Sequence, residues 1–399
     1  MKIEWARLNM PVLARVTKQL TRDKTLKGHR IGMCLHLEAK TAVLAQSLHT
    51  AGATIAITGG NPLSTQDDVA AALAETGVEV HAWRGVTDKE HQANLARVLA
   101  TKPDILIDDG ADLSIKAHAS RTLLRNITGA CEETTTGVIR FKAMERQRRL
   151  RFPVILVNDA QTKFLFDSRY GTGQSGLEGV MRATNLLIAG RRVVVAGFGW
   201  VGRGVAQRAR GMGARVAVTE VNPIRALEAL MEGFDVMPMS RAAAEGDLFI
   251  TATGDIDILT RDHFPLMKDG ALLCNVGHFN VEVSVRDLEK LSQHKRQVRA
   301  EVTEYTLKNG RRLYLLSEGR LVNLAAADGH PAEVMDMSFA DQALSAEYLA
   351  THGDQLQPRL YPVPEEIDRR VAEWRLAAFG KKIDSLSSGQ RKYLQSWKL

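Results

Sequence analysis

The sequence predicts an α/β protein made of two doubly wound parallel-sheet domains followed by a C-terminal helical extension. Three observations predict it: short apolar runs alternate with amphipathic stretches through the first half, a second series of the same kind opens near residue 190, and from Pro364 onward the pattern becomes charged and helical. Composition agrees, since 399 residues with 45% hydrophobic, 25% charged, 32 Gly and 11 Pro describe a folded chain of more than one domain. Disordered, collagen-like and fibrous chains are excluded.

In the first series the strands are read at HRIGMCLH (29–36), ATIAITGG (53–60), VEVHAW (78–83) and DILIDDGAD (104–112), with helical patterns such as EAKTAVLAQSLHTAG between them. Open α/β sheets bind ligands outside the carboxyl ends of their strands, and there fall His36, Thr58 to Gly60 and Asp108 to Gly110. Ser64 to Asp68 reads as a helix N-cap.

The second series opens on RRVVVAGFGWVGRGVAQRARGMGARVAVTEVNP (191–223). Gly197-Phe198-Gly199-Trp200-Val201-Gly202 follows an apolar strand and starts a helical pattern, the context in which such glycines admit a tight turn, a pyrophosphate and close helix packing. Glu220 closes the next strand, placed to accept from ribose hydroxyls and repel a 2′-phosphate, so NAD is expected rather than NADP. This makes the series Rossmann-like. Its further strands are read at FDVMPM, DLFITATG and ALLCNVG. The last stretch, with Trp374, Tyr393 and Trp397, reads as a docked helical segment that touches a neighbouring subunit.

The net charge of +7 gathers most densely in Arg146 to Arg151, beside Glu145, and aromatics make up only 6%, so a solvated face or subunit contact is expected and no nucleic acid. Cys34, Cys131 and Cys274 are scattered, which fits a reducing compartment and no metal centre. No apolar run approaches the roughly 18 residues of a membrane span, and MKIEWARLNMPVL is no signal peptide; a cytoplasmic protein is expected.

Three polar clusters remain: Cys131 to Gly137, Val157 to Lys163 and Phe166 to Gln174. Each alone is explained by caps and turns; together they exceed that need. From the residues alone, an NAD-dependent 2-hydroxyacid dehydrogenase would fit.

These runs also carry a resemblance. From IEWA to KIDSL and YLQSW, by way of NPLSTQDDVAAAL, AWRGVT, EETTTGV, VNDAQTK, RYGTGQS, CNVGHF and EGRLVNLAAADGHPAEVMDMSF, the chain resembles the S-adenosyl-L-homocysteine hydrolases over essentially its whole length. The resemblance implies a reversible, NAD-dependent hydrolysis that passes through oxidation at ribose C3′, elimination of homocysteine, water addition and re-reduction. It implies a substrate domain at 1–158 and 332–363, an NAD domain at 174–330 and a terminal dimerisation segment at 364–399. A homotetramer is implied too, with a small-molecule substrate as the other partner.

By the same resemblance, Glu133, Lys163 and Asp167 grip the ribose hydroxyls, with Lys163 handling the 3′-hydroxyl proton through a pKa lowered by burial. Asp109 and His36 stand near C4′ and C5′, and His278 and His330 are further site histidines; His263 is read as structural. Glu38, Lys40, Thr41, Met335 and Phe339 complete the substrate contacts. The NAD contacts fall at Thr134, Thr135, Thr136, Ser168, Gly197, Gly199, Trp200, Val201, Gly202, Arg203, Gly204, Glu220, Arg225, Val276, Gly277, His278, Asn323 and His330.

Departures from the family pattern are Ser168 and Arg225, each in place of a common Asn, and Thr172 where animal members carry Cys. The ending at Leu399 lacks the Lys/Tyr tail of longer members, so easier cofactor exchange is expected. The run His36-Leu37-Glu38-Ala39-Lys40-Thr41 leaves the base open. Glu38 accepts from a 6-amino group or from N1–H, and Lys40 either donates to a 6-oxo group or pairs with Glu38. S-inosylhomocysteine is therefore the alternative substrate, and a catalytically silent NAD-binding regulatory homologue the alternative of another class.

Overall fold

The apolar runs become two sheets in a computed structural model that describes residues 1–397. The first sheet contains β1 (Arg30–Leu35), β2 (Thr54–Gly59), β3 (Glu79–His81), β4 (Ile105–Asp108), β5 (Gly129–Glu132) and β6 (Val154–Leu156). The second contains β7 (Arg192–Ala196), β8 (Arg215–Thr219), β9 (Asp235–Val236), β10 (Leu248–Thr251), β11 (Ala271–Asn275), β12 (Ser292–Arg299), β13 (Val302–Leu307) and β14 (Arg312–Leu316). A late strand, β15 (Leu360–Pro362), returns to the first sheet beside β6.

The first sheet runs β15-β6-β5-β4-β1-β2-β3 and is parallel throughout. Helices cover both faces, so β4, β5 and β6 are buried along their whole length, and β4 and β6 carry apolar runs instead of alternating ones. In the second sheet the order β14-β11-β10-β7-β8-β9 repeats that of dinucleotide-binding folds, again all parallel. The strand order thus reverses direction between β1 and β4 in one sheet and between β7 and β10 in the other, and both crevices open at carboxyl ends.

The second sheet departs from the wholly parallel expectation at β13, which runs antiparallel to β14 on one side and to β12 on the other. Only Ala300 and Glu301 join β12 to β13, far too short a link for a parallel crossover. β12 is an exposed edge whose Lys295 and Arg296 pair with Glu289 and Glu304, a charged margin unsuited to further strand addition.

Between the sheets the chain passes through Gln161–Lys163, a π-helical stretch Phe164–Thr172 and the helix Gly173–Thr184. The helix Trp200–Gly211 lies so close to this stretch that a Cβ at Gly204 would overlap the Arg169 carbonyl. The chain returns through the helix Ala332–His352, whose Met335, Phe339 and Ala343 join the core under the first sheet. Arg84, in the loop after β3, reaches Glu301 at 2.9 Å and the Ala325 carbonyl at 3.0 Å, bridging the two units elsewhere.

The terminal segment docks only in part. In Glu365–Ala378, Ile367, Val371 and Arg375 are buried, and Arg375 pairs at 3.0 Å with Asp336, which also accepts from the Val12 and Leu13 amides. The helix Ser388–Leu394 buries nothing. Among the described residues no helix is long and apolar enough to cross a membrane.

Candidate active site

The two strand-order reversals face one cavity of about 1230 Å³, more than the ~300–1,000 Å³ of an ordinary small-ligand pocket. The first sheet contributes His36, Glu38, Thr41, Asp109, Glu133 and Thr134 to Thr136, and the crossing segment contributes Lys163, Asp167 and Ser168. From the second unit come Gly197, Gly199, Trp200, Val201, Glu220, Arg225, Val276 to His278, Asn323 and His330; Met335 and Phe339 line it from the returning helix.

One cluster centres on Asp109, just past β4. Its Oδ2 lies 3.3 Å from His36 Nε2 and its Oδ1 lies 3.4 Å from His278 Nδ1. Ser64 Oγ stands 2.8 Å from His36 Nδ1 and 3.0 Å from the Asn61 carbonyl; with Nε2–H turned to the Asp109 carboxylate, Nδ1 is the acceptor for the Ser64 hydroxyl. Burial, only partly countered by Asp109, lowers His36 to about 4. His36 and His278 therefore flank Asp109 with one imidazole nitrogen on each carboxylate oxygen, a trio through which a proton can pass. Their ligand atoms lie within 4.8 Å of one another.

The second cluster surrounds the Lys163 ammonium, 3.1 Å from Asp167 and 4.0 Å from Glu133. The expectation of a lowered lysine pKa is corrected here: burial works in that direction, but the Asp167 and Glu133 carboxylates outweigh it and hold Lys163 above its ordinary value. Burial likewise opposes ionisation of Asp167, yet His330 at 2.9 Å and Lys163 hold its carboxyl well below the usual range. Glu133 goes the other way, since burial exceeds the pull of Lys163 and raises it to about 8; its Oε2 accepts from Gln342 Nε2 at 2.6 Å. Thr172 Oγ1 meets the far nitrogen of His330 at 2.9 Å.

The nucleotide end fits a dinucleotide. Gly197 has φ +95°, and Gly202 abuts the Gly197 carbonyl, so the turn into the helix tolerates no side chain at either position. Gly199, the N-cap of Trp200–Gly211, has nothing nearer its missing Cβ than Arg225 Nη1 at 3.9 Å, and no side chain caps that helix, so its first amides are left for a phosphate. Glu220 accepts from the Phe198, Val221 and Asn222 amides at 2.7–2.9 Å, which fixes its carboxylate on the cavity wall. Asn323 Oδ1 is buried without a partner, an acceptor left over for a ligand donor.

Four residues expected to touch ligand lie outside the cavity lining. Gly202 and Gly204 serve helix packing, and Arg203 pairs with Glu228 and Glu232 and lies over the Phe198 and Trp200 rings. Lys40 is buried, paired with Glu38 and donating to the Asp328 carbonyl. His263 hydrogen-bonds its own loop at Thr260. The helix Asp67–Ala74 starts within the expected Ser64 to Asp68 run, at N-cap Gln66, but without a side-chain capping bond, while Ser64 turns to His36.

Sequence reasoning missed Ser64, Asn158 and Gln342. Asn158, 3.3 Å from the Lys163 ammonium, was visible in the VNDAQTK run. Gln342 had a subtler signal, because the Ala332–His352 helix carries buried Asp336, Asp341 and Gln342 and polar groups are buried only where something answers them.

A dinucleotide-ready helix terminus opening into the same cavity as two proton-handling clusters defines an NAD-dependent enzyme acting on a small polar substrate. The chain belongs to the S-adenosyl-L-homocysteine hydrolase family. The family model of that description matches residues 1–123, and the model described as S-adenosyl-L-homocysteine hydrolase, NAD binding domain, matches residues 168–329, so NAD is the cofactor. Similar curated proteins include the S-inosyl-L-homocysteine hydrolase of Methanocaldococcus jannaschii, 59% identical over 398 residues, covering 100% of this chain and 96% of that one. The adenosylhomocysteinase of Archaeoglobus fulgidus is 57% identical over 398 residues, covering 100% and 98%. Among solved structures, a dipicolinate synthase from Bacillus halodurans superposes with a TM-score of 0.50 at 15% identity over 82% of this chain and 99% of that one, a likeness of fold.

Proposed function

We propose that the chain catalyses the reversible hydrolysis of S-adenosyl-L-homocysteine to adenosine and L-homocysteine. The observation that carries this reading is that one cavity is lined both by the open helix terminus at Gly199 and by the Lys163 and Asp109 clusters. NAD, when bound along Gly197 to Val201, Glu220 and Asn323, supplies reversible oxidation at ribose C3′, which acidifies the proton on C4′.

The protein's own groups do the rest. Glu133, Lys163 and Asp167 bind the ribose hydroxyls, and Asp167 stays an acceptor because Lys163 and His330 keep it ionised. Lys163 can take the 3′-hydroxyl proton only after passing on one of its own. Glu133, raised to about 8, is the neighbour able to hold it in the molecules where that carboxyl is ionised, a fraction that grows toward pH 8. The Asp109 trio removes the C4′ proton and protonates or deprotonates the group at C5′.

Glu38 sets the base preference in this reading. It lines the cavity while accepting from the Lys40 and Thr41 amides, and Lys40 is spent on Glu38 and Asp328 away from the lining. An acceptor with no free ammonium beside it suits the 6-amino group of adenine. A second reading, S-inosylhomocysteine, is favoured by the same carboxylate, which also accepts hypoxanthine N1–H, and by relatives named for each nucleoside.

Release of homocysteine thiol, with NAD supplied, from both thioethers side by side tests the choice: preference for the adenosyl compound supports the first reading, preference for the inosyl compound replaces it, and silence on both leaves a regulatory homologue. The same proposal carries a cytoplasmic homotetramer. The outward Ile224, Leu227, Leu230 and Met231 of the helix Pro223–Met231 support self-association.

A further inference from the structure

We propose that Glu132, which none of the roles above uses, is a positioning residue that sets the spacing between Asp109 and Glu133 by holding both of their loops with one oxygen. The inference rests on the reading that those two carboxyls face the substrate.

Glu132 ends β5 directly beside Asp108, its register partner at the end of β4, and is fully buried. Its Oε1 accepts from the Gly110 amide, the Thr134 amide and the Thr134 hydroxyl, each at 2.9 Å. Gly110 adjoins Asp109, and Thr134 adjoins Glu133. One carboxyl oxygen therefore ties the loop after β4 to the loop after β5 at the residues next to the two substrate-facing acids.

Asp108 does not share this task. It accepts from the Asp109, Leu113 and Ser114 amides, all in its own loop and the helix that follows it, Asp112–His118. The Glu132 anchor is also built against from the far side: Gly137, in the first turn of the helix Thr135–Arg146, could carry no Cβ without overlapping the Glu132 carboxyl. That helix, which starts at the threonines of the nucleotide end, thus rests on the same group.

The second oxygen, Oε2, is buried without a partner. Burial, with Asp108 and Asp109 close by, pushes Glu132 well above the usual carboxylate range. Oε1 alone takes the three donors, so an amide of the same shape, with its carbonyl in that place, should replace the carboxyl.

The test compares kcat, KM and thermal midpoint of the NAD-loaded enzyme and its Glu132→Gln, Glu132→Ala, Gly137→Ala and Asp109→Asn variants, using whichever thioether the wild type turns over. Glu132→Gln is expected to stay within about threefold in kcat, because its carbonyl replaces Oε1. Glu132→Ala is expected to lose about 100-fold, chiefly in kcat, as two reacting groups drift apart. Gly137→Ala should show the same loss, although alanine is the better helix former, because it displaces the anchor without removing it.

Should Glu132→Ala fail to fold, Gly137→Ala and Glu132→Gln decide. Normal kcat in a folded Glu132→Ala or in Gly137→Ala overturns the proposal, as does a Gln variant as damaged as the Ala one. Asp109→Asn separates the two levels of inference: full activity there would sink the site reading, whereas its loss together with an intact Gly137→Ala would sink only the role of Glu132.

Discussion

Lys163 shows how a single side chain can be held in a state opposite to the one its burial favours. An isolated buried ammonium tends to neutralise, but two carboxylates within 4.0 Å reverse the tendency. Removing it in Lys163→Ala leaves Glu133 and Asp167 facing the cavity, and Glu133 relieves the repulsion by keeping its proton. The fold should survive while substrate-driven reduction of bound NAD falls by at least about 100-fold; normal appearance of the reduced nicotinamide absorbance would remove Lys163 from the proton path. His36 offers a pH test. Its folded value of about 4 lies below the ordinary 6.5, so the unfolded chain binds more protons between those values. Stability from its neutral burial is complete above 6.5 and lost as pH falls toward 4. The melting-temperature advantage of wild type over His36→Asn should therefore shrink across that window, and a constant difference would contradict it.

Elements were legible where burial on both faces wrote an unbroken apolar run. β1, β2, β4, β7, β8, β10 and β11 are of that kind, each with Val, Ile or Leu beside small residues. The segments not read were those whose surroundings are invisible in one dimension. β5 is Gly-Ala-Cys-Glu, four residues ending in the buried Glu132, and β12 is Ser-Gln-His-Lys-Arg-Gln-Val-Arg, an edge with neither alternation nor an apolar face. At the cavity, residues inside dense polar runs stood out, whereas Ser64 was hidden by a plausible capping pattern and Gln342 by a long helix. The glycine motif was legible as a turn, but the fourth glycine's purpose depends on a different segment. Gly204→Ala should force the helix Trp200–Gly211 off the Arg169 carbonyl and cost about 1–3 kcal/mol in denaturant unfolding. An unchanged midpoint and slope would show that the crossing segment yields at no expense.

The whole molecule is two sheets of one strand order placed with their reversal points toward a common space. Neither half is a complete site: the nucleotide terminus belongs to the second unit, and the Asp109 and Lys163 clusters draw on the first sheet, the crossing segment and His278 and His330. Three cysteines happen to be shared between the halves. Cys34 and Cys131 lie in β1 and β5 and Cys274 in β11, all buried, with burial pushing their thiols up. Thiolates are the reactive form, so the native protein should be inert to a colourimetric thiol reagent, and homocysteine can be assayed against a clean background. Under mild denaturant the same sulfurs become a pair of clocks. Mass spectrometry that times the modification of Cys274 against Cys34 and Cys131 reads the opening of each sheet separately. Simultaneous labelling would mean that the two halves come apart as one cooperative body, while early labelling of one set would identify the half that lets go first.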